Sequence, residues 1–464
     1  MSSHPASYLS ARPWPLMAAV LVLTLLAQWP LIANPGYFSH DELQWAAAAA
    51  PLTGPVQWVG WFETGVFQFR PLTFNLWLWL SQHLFERPPL FHAVLVAAGA
   101  VNAALLAGLL RRLGATPRAA LLAALAFALG PYAMYVHGWV GTIGDVIWLG
   151  CALLIGWLAT APRVRRWPLA LGAALLMLLA LLAKESALSI PALLAVACVL
   201  DRPRAAWRWA FIGAALPALA YVVLRFGVLA GAAGGGDAAY AWSPGHLPLR
   251  WLEYLVYLPQ VSMFEVSSSL NRGFGDTRFI VSALLWLALL AGLLRAGWRW
   301  ALGWLAGSVA ALGPVLVLGT AYNQYAYGFA AFAAGLMACA WPQLARWARA
   351  VAVLLAVLAL WHGVNVMRQM REVGEIQAVF SPALAEVLRD EPGPALRLRP
   401  SPDADAWIFQ RLTHEVPHYR GIAIGERVRL VAPGEAADFT IQADGNLVRC
   451  HHVEPPGRAT CAPL

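Results

Sequence analysis

Lysine is almost absent from this chain: of 32 Lys and Arg residues among 464, only Lys184 is a lysine. A Walker loop needs Lys followed by Ser or Thr, whereas Lys184 is followed by Glu185. ATP binding through a P-loop is therefore excluded, and any leaving group must come from elsewhere, such as a substrate already activated in the membrane. Charge of either sign is scarce as well, at 12% of residues against roughly 25% in soluble domains. There are five cysteines. Cys151, Cys198 and Cys339 fall in apolar runs and read as small apolar residues. Cys450 and Cys461 fall in a polar tail, where an oxidising compartment would permit a disulfide closing a short loop. No fixed-period repeat is present.

What the chain does have is apolar length. Hydrophobic residues make up 60% of it, with 23 tryptophans. Apolar segments recur at 14–33, 89–110, 119–136, 145–160, 168–183, 187–200, 209–229, 279–294, 300–319, 326–341 and 350–366. Each is long enough to cross a bilayer, or nearly so. The first is too long for a typical signal-peptide core and has no A-x-A site after it, so it reads as a retained span.

The arginines order these eleven spans. Arg111, Arg112 and Arg118 share one connection, Arg163, Arg165 and Arg166 another, and Arg202, Arg204 and Arg208 a third. Arg295 with Arg299, and Arg346 with Arg349, continue the alternation, which the positive-inside rule makes cytoplasmic. The expectation is a cytoplasmic N-terminus, with outer loops 34–88 and 230–278 and a periplasmic tail from 367. Those cytoplasmic arginines also account for the net charge of +8, so no nucleic-acid partner is implied. The division is then 1–366 as the transmembrane unit and 367–464 as a small soluble one.

Within the first outer loop, 55–69 mixes Trp and Phe as an interfacial helix would, and 70–85 is apolar but short for a span. In the tail, ALRLR, RVRLVA, DFTIQA and LVRCHHV alternate like strands, predicting a small α/β or mostly β domain.

Ionisable residues collect at one level of this layout. Lys184-Glu185 interrupts an apolar run, and a charge there is a functional hypothesis by default, although such a pair also serves to anchor a helix end. Ser39-His40-Asp41-Glu42 follows the first span closely. Two adjacent carboxylates with a His suit general-base work, but successive helical residues diverge by about 100°, so only one of Asp41 and Glu42 can face a given site. Arg70, His137, Asp145, Arg272, Asn323, Gln324, Tyr325 and Tyr327 fall on the same outer side. Jointly they would suit a phosphate-and-hydroxyl site at the interface.

Three metal-like patterns weigh against themselves. His414-Glu415-Val416-Pro417-His418 has the H-E-x-x-H form, yet Pro417 breaks the helix that form requires. Asp403-Ala404-Asp405 lies among prolines with no nucleotide-binding unit around it. Cys450-His451-His452 with Cys461 suits a disulfide better than zinc.

Taken together, these residues resemble the GT-C class of membrane glycosyltransferases, which includes protein O-mannosyltransferases and lipid A aminoarabinose transferases. The resemblance is carried by Asp41-Glu42 after the first span, Phe69-Arg70-Pro71-Leu72, Asp145 near the start of the fourth span, and Lys184-Glu185 before Pro191. It covers roughly residues 14–340. Asn323-Gln324-Tyr325-Ala326-Tyr327 stands where subfamilies often carry Arg before Tyr-x-Tyr, and the tail has no tetratricopeptide helices.

The resemblance implies an all-α polytopic membrane protein of about 11 transmembrane helices, in the inner membrane of a bacterium. It implies transfer of a sugar, with inversion, from a polyprenyl-phosphate donor to a hydroxyl of a glycan, lipid or protein. Asp41 would be the base, supported by Glu42. Arg70, Lys184 and Arg272 would hold the phosphate, Glu185 would orient Lys184, and His40, His137, Asp145, Tyr325 and Tyr327 would support the site. No metal and no other cofactor is expected. A polytopic transporter or lipid flippase is the alternative, and it predicts charges near the bilayer midplane and inverted repeats. A non-catalytic scaffold would leave Lys184 and the acidic pair unexplained.

Overall fold

The computed structural model describes residues 13–52, 60–66, 68–201, 204–231, 241–271, 273–391, 393, 395–451 and 460–463, except the side chains of 229 and of 451 onward. Of the expected site residues, Arg272 lies outside that set, as does the side chain of Cys461.

The first apolar segment forms α1 (Trp14–Ala27) and a short α2 (Trp29–Ile32), and the first long connection carries α3 (His40–Ala49) and α4 (Pro71–Leu84). A bundle follows: α5 (Pro88–Arg112), α6 (Pro117–Ala128), α7 (Pro131–Gly138), α8 (Ile143–Ala159), α9 (Arg166–Ala183), α10 (Ser189–Leu200) and α11 (Ala206–Gly231). The second long connection holds α12 (Leu247–Tyr257), before α13 (Thr277–Ala296), α14 (Trp298–Leu312), α15 (Tyr327–Ala340) and α16 (Arg346–Asp390).

Among the described residues, seven helices are long and apolar enough to cross a membrane, or eight if α6 and α7, bent by 56°, make one span. All eleven expected segments are helical, but not all reach that length. α1 and α15 have 14 residues each, a rise of about 21 Å against a hydrocarbon core of about 30 Å.

The outward faces agree with an apolar surrounding. Leu171, Leu175, Leu178 and Leu179 of α9 are exposed, as are Leu216, Leu219, Val223 and Leu224 of α11. Faces of that size are unfavourable in water and favourable in lipid. Inside, Ala103, Ala107, Ala120, Ala124, Ala173, Ala180, Ala210 and Ala214 are fully buried in one cluster. Small side chains there let the helix backbones approach closely, which is how association is gained where the solvent is itself apolar.

The tail begins without a break. α16 runs on through 366/367 to Asp390 and only then gives way to strands. These are β1 (Leu396–Pro400), β2 (His418–Tyr419), β3 (Ile422–Ala423), β4 (Val428–Leu430), β5 (Phe439–Ile441), β6 (Leu447–His451) and β7 (Thr460–Pro463), with α17 (Ala406–Thr413) after β1. The main sheet has the order β4-β1-β5-β6-β7. β1 pairs in parallel with β4 and β5, and β5, β6 and β7 pair antiparallel. All four alternating segments supply strands, so the tail is a mixed α/β unit. Its register sets Cys450 opposite Cys461. Phe380, Leu384 and Leu388 of α16 join Leu398, Phe409, Phe439 and Ile441 in one core, which fastens the sheet to the long helix.

Candidate active site

The site is built around a broken helix. α9 stops at Ala183 because Lys184 is extended (φ −164°, ψ 143°), and the chain resumes as the 3-10 turn Glu185–Leu188 before α10. A break inside an apolar bundle strands a carbonyl, which costs free energy unless a donor is supplied. Here the hydroxyl of Thr73 on α4 donates to the Ala183 carbonyl at 2.6 Å. Gly144, beside the start of α8, makes room for this contact. A Cβ there would lie 2.8 Å from Thr73 Oγ1 and 2.9 Å from the Ala183 oxygen. The absence of a side chain at 144 thus lets α4, α8 and the break meet.

Four charges converge at that meeting point. Lys184 Nζ forms an ion pair with Asp145 Oδ2, and Asp145 Oδ1 accepts from the Trp148 indole at 3.3 Å. Arg70 Nε donates to Glu185 Oε2 at 2.7 Å. The Lys184 ammonium also stands 5.1 Å from the centre of the Tyr325 ring, within cation–π range. Lys184 and Asp145 are almost wholly buried, whereas the side chains of Arg70 and Glu185 are 17% and 18% exposed. Glu185 Oε1 is buried without a hydrogen-bond partner.

The expected support of Lys184 by Glu185 is corrected here. Consecutive side chains on extended backbone point apart, so Lys184 turns inward to Asp145 while Glu185 meets Arg70. Arg225 adds a cation that the sequence reading passed over. It is fully buried, donates through Nη1 to the carbonyls of Thr64 and Val66, and stands 5.6 Å from the Phe69 ring. It thereby fixes the loop that delivers Arg70. A lone Arg within the apolar run of α11 was signal enough to find it.

The acidic pair divides its labour. Ser39 caps α3 in a capping box: its backbone N–H donates to Glu42 Oε2 at 2.7 Å, and its hydroxyl accepts from the Asp41 N–H at 3.4 Å. Glu42 Oε1 also accepts from the Val140 N–H at 3.4 Å. Glu42 is fully buried, and burial first, then the charge of Asp41, push its carboxyl up to about 8. Asp41 is the half-buried member, its carboxylate 3.1 Å from His40 Nε2. Val140 stands five residues before Asp145, so this contact joins the acidic pair to the segment that carries Asp145.

The tail reaches this second cluster. Arg411 of α17 donates to Ser39 Oγ at 3.1 Å, and its guanidinium lies 4.5 Å from the Phe38 ring, 5.6 Å from Trp407 and 5.8 Å from Trp139. His414 packs its ring edge-on to His40 at 5.1 Å. No local pattern in the tail announces Arg411, since its partners other than Trp407 lie hundreds of residues away.

His137 and Tyr327 belong to a different set. His137 sits between Gln28 Oε1 (2.9 Å) and the Tyr327 hydroxyl (2.8 Å), and that hydroxyl also accepts from Asn102 at 3.4 Å. Asn323 accepts from the Val266 N–H at 2.8 Å and donates to the Phe264 carbonyl at 2.7 Å, holding the second outer loop down. Two of the metal-like patterns dissolve into local structure, and the third, Cys450-His451-His452 with Cys461, lies largely outside the described side chains. α17 ends before His414, while His418 is in β2. Asp405 caps α17, and Asp403 accepts from Ser401 at 2.6 Å. Among the described residues no His, Cys, Asp or Glu group is arranged to hold a metal.

An apolar cavity of about 370 Å³ lies along α10, lined by Leu106, Leu149, Ile190, Leu194, Phe332 and Leu336 among others. Its lining includes Ile190, six residues after Lys184, and also Asp201 and Arg204, which pair at 2.7 Å.

Fold and site together define a mostly helical chain with, among the described residues, seven or eight helices long and apolar enough to span a membrane, and a cluster of four charges where its helices begin and break. No protein-family model, no curated protein and no solved structure matches the chain.

Proposed function

We propose that the chain is a polytopic membrane glycosyltransferase of the GT-C kind, using a polyprenyl-phosphate sugar as donor and a hydroxyl of a glycan, lipid or protein as acceptor. The observation that carries this reading is the convergence of Arg70, Asp145, Lys184 and Glu185 in one cluster. In the reading, eleven segments traverse the inner membrane of a bacterium, some as short helices, with the N-terminus cytoplasmic and the tail periplasmic.

The chemistry follows from charge. Asp41 takes the proton of the acceptor hydroxyl, and the acceptor oxygen bonds to the anomeric carbon from the face opposite the phosphate. The bond from that carbon to the phosphate oxygen breaks, and its electron pair stays with the phosphate. Lys184 and Arg70 stabilise the negative charge that grows there, in surroundings of low dielectric constant where such stabilisation is largest. The four charges sum to zero, so a phosphate is attracted once a cation turns part of its donor set away from its carboxylate. Arg70 suits this, because its side chain is 17% exposed whereas Lys184 is almost wholly buried.

Glu42, facing its capping box, acts by fixing the direction of Asp41. The cavity along α10 offers an apolar slot for part of the prenyl chain. Transport is the second reading, because Lys184 ends α9 at a break and broken helix ends also carry transporter sites; the donor assay separates the two.

The test is transfer in membranes from radiolabelled polyprenyl-phosphate sugars, comparing wild type with Asp41→Asn. Transfer by wild type and its loss in the variant are expected. Equal transfer by both would remove Asp41 as base, and no transfer from any lipid donor would shift the weight to transport.

A further inference from the structure

We infer that Glu185 recognises the sugar of the donor, its open carboxylate oxygen accepting a hydrogen bond from a hydroxyl next to the phosphate linkage. This rests on the glycosyltransferase reading and deepens it, by naming the group that separates loaded from spent carrier.

The cluster leaves one acceptor open. Both oxygens of Asp145 are engaged, by Lys184 and by the Trp148 indole. Glu185 Oε2 is engaged by Arg70, while Oε1 is shielded from solvent and has no hydrogen-bond partner among the described residues. Buried polar atoms without partners are rare and call for an explanation. The side chain is 18% exposed, so an opening reaches it.

Charge selects the class of ligand. A carboxylate repels an anion, so Glu185 cannot itself hold the phosphate, yet it adjoins Lys184 in sequence and Arg70 in space. A ligand that sets its phosphate on those two cations places the phosphate's ester substituent beside Oε1. A sugar hydroxyl there satisfies the open oxygen, with a hydrogen bond strengthened by the charge on its acceptor. After transfer the carrier ends in a bare phosphate, which offers no hydroxyl and brings more negative charge towards Glu185. The same atom therefore favours the donor and disfavours the product.

The experiment measures equilibrium binding to the full chain in detergent of undecaprenyl phosphate and of undecaprenyl phosphate bearing one hexose, glucose and mannose in turn. Wild type is expected to prefer at least one glycosylated lipid by about tenfold or more, the effect of one hydrogen bond to a charged group. Glu185→Met, which keeps the length and removes the acceptor, is expected to bring that preference close to unity without weakening the sugar-free lipid. Glu185→Gln, which retains a neutral acceptor and the pairing with Arg70, is expected to keep an intermediate preference, and it stands as the test if Glu185→Met does not fold. A preference unchanged in the variants overturns the inference, as does equal weakening of both lipids, or no preference in wild type that binds both. Failure of wild type to bind either lipid is a separate result, and it overturns the glycosyltransferase reading together with the inference.

Discussion

Two sets of buried polar side chains lie within a few residues of each other in the bundle, and they are satisfied in opposite ways. Gln28, His137, Tyr327 and Asn102 form a chain of neutral hydrogen bonds, and Asn102 ends it by donating to the Val146 carbonyl at 2.8 Å. Arg70, Asp145, Lys184 and Glu185, one residue away on α8, carry two charges of each sign and leave one carboxylate oxygen bare. A complete neutral network ties helices together and asks for nothing more. An incomplete charged one holds free energy that a ligand can release. Composition does not separate the two sets, since both join aromatic and ionisable residues at the same level of the chain. Satisfaction does.

That contrast predicts effects of different kinds. The largest is at Lys184. Lys184→Ala should lower transfer by on the order of a thousand-fold, as loss of a main charge-stabilising group does. It should also destabilise the fold by about 3–5 kcal/mol, because Asp145 is left buried and unpaired. Adding Asp145→Asn should restore the melting temperature and leave transfer lost. If the double variant regains transfer, Lys184 is an anchor.

Next comes Arg70→Gln, with transfer reduced on the order of a hundred-fold and the melting temperature lowered less than in Lys184→Ala, because this pair is less deeply buried than Lys184–Asp145. A large loss of stability with normal transfer would exchange the roles assigned to the two sets.

Glu42 gives a stability effect with a definite sign. Burial, and then the charge of Asp41, push its carboxyl up to about 8 from an ordinary 4.5. The stability it contributes is therefore complete below pH 4.5 and lost as pH rises towards 8, by at most about 5 kcal/mol. Glu42→Gln keeps the shape without the charge, so unfolding followed between pH 5 and 8.5 should show a flatter slope than wild type. An unchanged slope would place the titration elsewhere. The smallest expected effect belongs to the neutral chain. His137→Leu should cost about 2 kcal/mol by leaving Gln28 and Tyr327 without their partner, while transfer per folded molecule stays at the wild-type value.

Much of this architecture is written locally. Apolar length marked the helices, and alternation marked β1, β4, β5 and β6, because both signals are carried by consecutive residues. Pairing is not local. Lys184 and Glu185 are neighbours in sequence, yet the extended backbone at 184 sends them to different partners, and that backbone is set by the packing of α4 and α8 around Gly144. Arg411 was invisible for a similar reason. Its hydrogen bond to Ser39 spans 372 positions and needs the tail folded against α16 and α3. The full length of the spans was also hidden, since hydropathy does not report where a helix bends, as between α6 and α7, or breaks, as at Lys184.

The most direct measurement is saturable binding of radiolabelled undecaprenyl phosphate to the full chain, comparing wild type with Lys184→Ala/Asp145→Asn. The double variant keeps the net charge of the cluster and removes only the buried pair. Retention by wild type with a loss of about tenfold or more in the variant is the predicted result. Equal binding by both would contradict the claim that this cluster is a phosphate site.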